Sequence, residues 1–321
     1  MTRDRPNRHW ASIEEAGILW GMKIMLLIYR ALGRLAFRLF LYPVVTYYFF
    51  TGGSARRASL DYLRRVGAFF PDSGLSGSLW ESYRHFIAFG EGMLEKIAVW
   101  LGRIDPQQVD FHNRPLLLRQ LEEKRGAMLL GSHIGNLEIC RALAHLRGHI
   151  HLNILVHTRH AAKFNSMLSK VDHSNKIELI QVTELNPAIA IKLQDKVQQG
   201  EFLVVVGDRI PVNSQGRTVT ASFLGSPAEF PQGPYLLASL LGCPVYTLFS
   251  YPFEGRYHIS LEPFAERIEL PRQREPRHRD LSAWAGRYAK CLEHHCHKVP
   301  LQWFNFFPFW APALLDGEGR E

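Results

Sequence analysis

The sequence predicts an α/β protein in which a central mixed sheet is flanked by helices and preceded by an N-terminal membrane-associated helical segment. Three observations lead there. Short apolar runs of the kind that fill buried strands recur at AMLL 127–130, HLNILV 151–156, IELIQV 177–182, FLVVV 202–206, VYTLFS 245–250 and YHISLE 257–262. Helical stretches separate several of them, notably LEICRALAHL at 137–146 and PAIAIKLQDKVQQG at 187–200, and such alternation builds a sheet with helices on its faces. The first fifty residues differ in character, being apolar but studded with arginine.

From Gly17 to Phe50 the chain is apolar enough to seek lipid, yet Lys23, Arg30, Arg34 and Arg38 interrupt it. No unbroken run reaches the roughly 18–20 residues of a clean transmembrane helix. Arg30, Arg34 and Arg38 recur every four residues, so a helix would carry a basic stripe beside the apolar surface of Leu32, Leu35, Ala36 and Leu39. That pattern suits a helix lying at an anionic interface. Core helices of a globular domain are the plainer alternative, and a cleaved signal peptide would need a small-residue site that RLAFRLFLYP does not offer. The polar junction TGGSARRAS at 51–59 opens the second unit, so residues 1–50 form the segment and 51–321 a single large domain.

Within that domain PDSGLSGS at 71–78 reads as a loop. LWESYRHFIAFGEGMLEKIAVW at 79–100 reads as helix, with Gly90 and Gly92 as interruptions. RQREPRHRD at 272–280 reads as an exposed charged loop. The chain has 38 Lys+Arg against 30 Asp+Glu, a net charge of +8 that favours anionic partners: lipid headgroups, nucleic acid or an acidic carrier protein. Four cysteines, Cys140, Cys243, Cys291 and Cys296, make no disulfide framework in 321 residues, which places the protein in a reducing compartment, on the cytoplasmic side.

The chemistry centres on AMLLGSHIGNLEICRAL, which runs from a buried strand through a small polar loop into a helix. Ser132, His133 and Asn136 then stand at the carboxyl end of a strand, the edge where open α/β sheets bind ligands. His133 and Glu138 are five apart and on an unbroken helix would point about 140° away from each other. They meet only if the chain turns between them. Gly135 permits that turn and Asn136 is a good N-cap, leaving Glu138 in the first helical turn and His133 in the loop before it. A carboxylate accepting a hydrogen bond from one imidazole nitrogen fixes the tautomer and frees the other nitrogen as a base.

GSHIGNLE resembles the His-x4-Asp/Glu block of the lysophospholipid-type acyltransferases, and its S-H-x-G-N-x-E form is most similar to the late acyltransferases of lipid A biosynthesis. Arg159 and Asn165 of HTRHAAKFN resemble the second block, GDR at 207–209 the third, FLGSPAEFPQGPYLLASLLGCPVY at 223–246 the next, and PLQWFNFFPFW the closing Gln-Trp segment. Leu137 stands where an aromatic is frequent. The resemblance covers roughly residues 10–310, and five blocks in order recur by chance far less than one motif does. It implies an O-acyltransferase in which His133 is the general base and Glu138 orients it. The donor would be acyl carrier protein, with acyl-CoA as the anionic alternative, and the acceptor a lipid hydroxyl. No cofactor is implied, and the setting would be the cytoplasmic face of a bacterial inner membrane.

Beside the catalytic pair stand candidate substrate-binding residues. Asn136 belongs to the motif itself. Arg159 and Arg209 suit phosphate oxygens, although surface salt bridges are their ordinary use. Asp208 would hold one of these arginines, shape the site, or simply end a strand. Gly233, closing the FPQG turn at 230–233, or Gly135 could bring backbone N–H groups to an oxyanion. The cluster Cys291, His294, His295, Cys296 and His297 invites a metal reading, but within one helical stretch its ligands scatter around the axis. A serine hydrolase fails on GSHIG, where Ser132 is second rather than third in the pentapeptide. Nucleic-acid binding lacks a recognisable module and leaves the His-Glu block unexplained. The aromatic tail Trp303, Phe304, Phe306, Phe307, Phe309 and Trp310 fits either core packing or an interfacial belt.

Overall fold

The computed structural model describes residues 37–100, 105–139, 150–156, 177–181, 187–210 and 217–310. Helix α1 (37–51), α2 (Gly53–Phe69) and α3 (Leu79–Trp100) come first. Phe37, Leu41, Val45 and Phe49 fall at every fourth position of α1 and are buried in a cluster with Phe86 and Leu94 of α3. The glycines expected to interrupt α3 do not: the helix runs through both. Gly90 lies under α1, where a Cβ would come within 2.8 Å of Val45, and Gly92 faces the Phe304 ring. Each costs about 1 kcal/mol of helix propensity relative to alanine. The close approach of α1 and the aromatic tail offsets it.

The remaining elements in order are β1 (Val109–His112), α4 (Arg114–Glu122), β2 (Ala127–Gly135), β3 (Leu152–Val156), β4 (Ile177–Gln181), α5 (Pro187–Gln198), β5 (Phe202–Val206), β6 (Thr218–Phe223), β7 (Ser226–Pro231), α6 (Gly233–Leu241), β8 (Val245–Phe253), β9 (Arg256–Ala265) and α7 (Arg274–Lys298). Seven strands form one sheet in the order β1-β9-β8-β2-β5-β3-β4, and β6 and β7 pair as a separate hairpin. Within the seven, only β8 and β9 pair antiparallel, so the sheet is mixed but mostly parallel. Strand β2 sits centrally and carries two cores by simple alternation. Met128 and Leu130 face a cluster built with α2, α5, α6, α7 and the hairpin, while Ala127 and Leu129 face a second one with Leu117 of α4 and Ile139.

One expectation is corrected here. The charged stretch 272–280 is not a loop: α7 begins at Arg274. Its first turns project polar side chains into solvent, so no apolar stripe marks them. Of the arginine stripe, Arg38 is described. Arg38 turns onto α3 and binds Glu91 with two short bonds of 2.8 Å, and Tyr42 donates to the same carboxylate. Arg30 and Arg34 lie outside the described residues. The aromatic tail is core where its size is greatest, with Trp303, Phe304, Phe309 and Trp310 buried. Among the described residues no helix is long and apolar enough to cross a membrane.

Candidate active site

Strand β2 runs five residues further than its apolar run, so His133 sits in the last part of the strand rather than in a loop beyond it. The ladder with β8 is irregular there: Gly131 pairs Leu248 and Gly135 pairs Ser250, four residue steps on β2 against two on β8. Such a bulge re-aims side chains at a strand end. The turn expected at Gly135 is present, with φ +61°, and a Cβ there would meet the Ser250 carbonyl oxygen at 2.1 Å. Asn136 N–H then donates to that carbonyl at 2.8 Å, and Asn136 Oδ1 accepts the Glu138 N–H at 3.1 Å, the expected capping contact. Asn136 is fully buried, and its Nδ2 has no hydrogen-bond partner among the described residues.

Beside His133 stands Asp208, brought there by the end of β5. Gly207 N–H donates to the Gly131 carbonyl at 3.0 Å, and only glycine fits, because a Cβ would lie within 3.0 Å of both the Tyr288 ring and Leu130. Asp208 is 1% exposed and accepts three hydrogen bonds: from His133 Nδ1 and from the His133 backbone N–H, both at 2.8 Å, and from the Trp303 indole, also at 2.8 Å. Burial alone would raise its carboxyl, but the charge and bonds of His133, with Arg209 nearby, hold it below the ordinary range. An ionised carboxylate can only accept, so Nδ1 carries the ring proton and Nε2 the lone pair. The imidazole keeps 30% of its side-chain surface open. Burial pushes it below its ordinary 6.5, Asp208 pulls it up, and the positive Arg209 and Lys96 push it down again.

Thus the bond to Nδ1 that the sequence assigns to Glu138 is made by Asp208, a residue expected to hold an arginine, shape the site or simply end a strand. Glu138 lies in the turn before Ile139 and shares its field with half-buried Lys96: burial lowers the Lys96 ammonium, Glu138 raises it, and Arg209 lowers it. Sequence reasoning missed Lys96, which sits inside an ordinary amphipathic pattern. Arg209 donates to the Phe304 carbonyl at 2.9 Å and lies 5.4 Å from the Phe307 ring centroid, so it fastens the tail against the site. Gly233 opens α6 beyond the hairpin, and no described contact links it to His133. Arg159 and Asn165 lie outside the described residues. On α7, His295 and Cys296 are buried while His294 is exposed, so the cysteine-histidine cluster faces different sides. A cavity of about 530 Å³ between β1, β8, β9 and the end of α7 is lined by neither His133 nor Asp208.

A buried carboxylate thus holds an imidazole at the carboxyl edge of a mostly parallel sheet, the edge where α/β folds bind ligands. Residues 79–311 match the family of bacterial lipid A biosynthesis acyltransferases, and the protein belongs to that family; it is an acyltransferase. The match starts at α3, so α1 and α2 precede it. No curated relative matches the chain.

Proposed function

We propose that the protein moves a fatty acyl group from the thioester of acyl carrier protein to a hydroxyl of a lipid acceptor, a lipid A precursor or a related lipid, with His133 as general base. The Nδ1–Asp208 bond carries this reading, because it leaves the Nε2 lone pair for the acceptor's proton. The acceptor oxygen attacks the thioester carbonyl as its proton passes to Nε2. The tetrahedral oxyanion then collapses, the carbon–sulfur bond breaks, and the imidazolium returns the proton to the thiolate. No acyl-enzyme is required. Glu138 is the second catalytic carboxylate of the reading: beside Lys96, its charge offsets that of the imidazolium. Lys96 and Arg209 give the site a cationic side that suits phosphate, Arg159 is assigned to phosphate on its motif alone, and Asn136 and Gly233 take part in holding substrate.

The reading places the reaction at the cytoplasmic face of a bacterial inner membrane. Support comes from the outer face of α1, where Leu39, Phe40, Val44, Tyr47, Tyr48 and Phe50 are each at least half exposed. Trp80, at the start of α3, is 66% exposed. The test is transfer by purified wild type and His133→Ala, supplied with acylated carrier protein and a lipid A precursor and followed by lipid mass spectrometry. Loss of the base should lower turnover about 10²–10⁴-fold. Wild-type turnover in His133→Ala would sink the assignment.

A further inference from the structure

The tail after α7 is stitched to the end of β2 on either side of the base. Trp303 bridges Ile134 in the main chain, and Phe304 N–H donates to the His133 carbonyl at 3.0 Å. From this anchored backbone the Trp303 indole reaches Asp208 Oδ2 at 2.8 Å. The Trp303 carbonyl is itself held. His85 Nε2 bonds it at 2.9 Å, His85 Nδ1 contacts Ser59 Oγ at 3.0 Å, and Ser82 Oγ donates to Ser59 Oγ at 2.9 Å. A carbonyl only accepts, so Nε2–H of His85 donates, Nδ1 holds a lone pair, and the Ser59 hydroxyl must donate to it. Every proton in this chain therefore has one direction. Ser59, Ser82, His85 and Trp303 are all fully buried, and Tyr62 donates to the Pro300 carbonyl at 2.8 Å just before the turn.

Packing alone does not account for the indole. The Trp303 ring meets Tyr62, Phe223 and Phe309 edge-on at 4.8–5.3 Å, contacts that a phenyl ring would also make. What a phenyl ring lacks is the N–H aimed at a carboxylate. With Oδ2 occupied by the indole and the His133 backbone N–H, only Oδ1 is left to face Nδ1.

We propose that Trp303 is a positioning residue that aims Asp208 and limits how strongly it draws on the Nδ1 proton of His133, with His85, Ser59 and Ser82 as the fixed buttress behind it. The inference rests on the reading of His133 as the base. Removing the indole donor makes Asp208 a stronger acceptor, and a stronger acceptor stabilises the imidazolium, so His133 is protonated at higher pH. The other groups bearing on this pair are Lys96 of α3 with Glu138 beside it, Arg209 after β5, and Tyr288 and Cys296 of α7.

The experiment uses the full chain with Trp303→Phe. The acid limb of its pH–turnover profile should move up by about one pH unit, with kcat lowered and KM for the acyl donor little changed. A wild-type acid limb in a folded Trp303→Phe would overturn the proposal. A second measurement needs no change at Trp303. In wild-type protein labelled with nitrogen-15, one of the seven tryptophan indole N–H resonances should shift with the midpoint of the His133 ring and stop doing so in His133→Ala. If no indole follows that titration, Trp303 is core packing and the proposal fails. Unchanged transfer in His133→Ala would instead refute the general-base reading, while the nitrogen titration would still decide the coupling of Trp303 to His133.

Discussion

At the scale of single residues, the sequence offers two carboxylates for the imidazole, and Asp208 is the one seen to hold Nδ1. Asp208 holds Nδ1 at 2.8 Å, whereas Glu138 bears on Lys96. Asp208→Asn should lower kcat about 10²–10⁴-fold, because an amide N–H turned toward the ring forces the proton onto Nε2 and removes the lone pair. Glu138→Gln keeps that tautomer and should lower transfer by a smaller factor, about tenfold. Steady-state kinetics of the two purified variants decide the ranking, and a mild Asp208→Asn would overturn it. The pH dependence follows from the same bond. Burial holds the folded-state pKa of His133 below 6.5, so the neutral base is present above 6.5 and is lost as pH falls through the lowered value. The acid limb of kcat/KM should therefore lie below pH 6.5, and a limb above it would contradict this environment.

At the scale of elements, the sequence was legible where apolar runs are long and buried. All six expected strands are present, and β2, β8 and β9 extend past their apolar runs. Strand β1 escaped because VDFH is a four-residue edge strand without alternation, its residues half-buried or exposed. The β6–β7 hairpin escaped because its turn is Leu224-Gly225, with φ of +50° and +74°, in place of an Asn-Gly signal, and because β7 carries Pro227 and Pro231. The site divided in the same way. His133, the Gly135 turn and the Asn136 cap are local chemistry, readable in one motif. The Asp208 bond joins residues 75 apart and depends on β5 lying beside β2, which no local pattern reports. Helix α1 shows the converse, since its inner face follows from periodicity while its outer face stays apolar. Replacing Tyr47 and Phe50 with serine should weaken sedimentation with anionic vesicles without lowering the melting temperature, as neither side chain is buried. Unchanged vesicle binding would move the membrane contact to residues before α1 or to another face.

At the scale of the whole molecule, the proposed function asks a net charge of +8 to serve two anionic partners, the membrane surface and the acyl donor. Salt distinguishes them, because an acidic carrier protein is drawn over distances that the Debye length, about 8 Å at physiological ionic strength, cuts short. Apparent KM for the acylated carrier should rise between low and moderate salt while kcat holds, since Asp208, the carboxylate that holds His133, is buried away from solvent ions. The exposed arginines opening α7 offer a local probe. Arg272, Arg274 and Arg279 stand at the positive end of that helix, where basic residues disfavour the dipole by about 0.3–1 kcal/mol each. Arg274→Glu should thus stabilise the helix slightly, and a raised KM for the carrier in this variant cannot be ascribed to unfolding. The measurement pairs acylated carrier protein with acyl-CoA across a salt series on detergent-solubilised enzyme. If both donors are used equally and without salt dependence, the positive surface serves the membrane alone, and the carrier docks by contacts that carry no net charge.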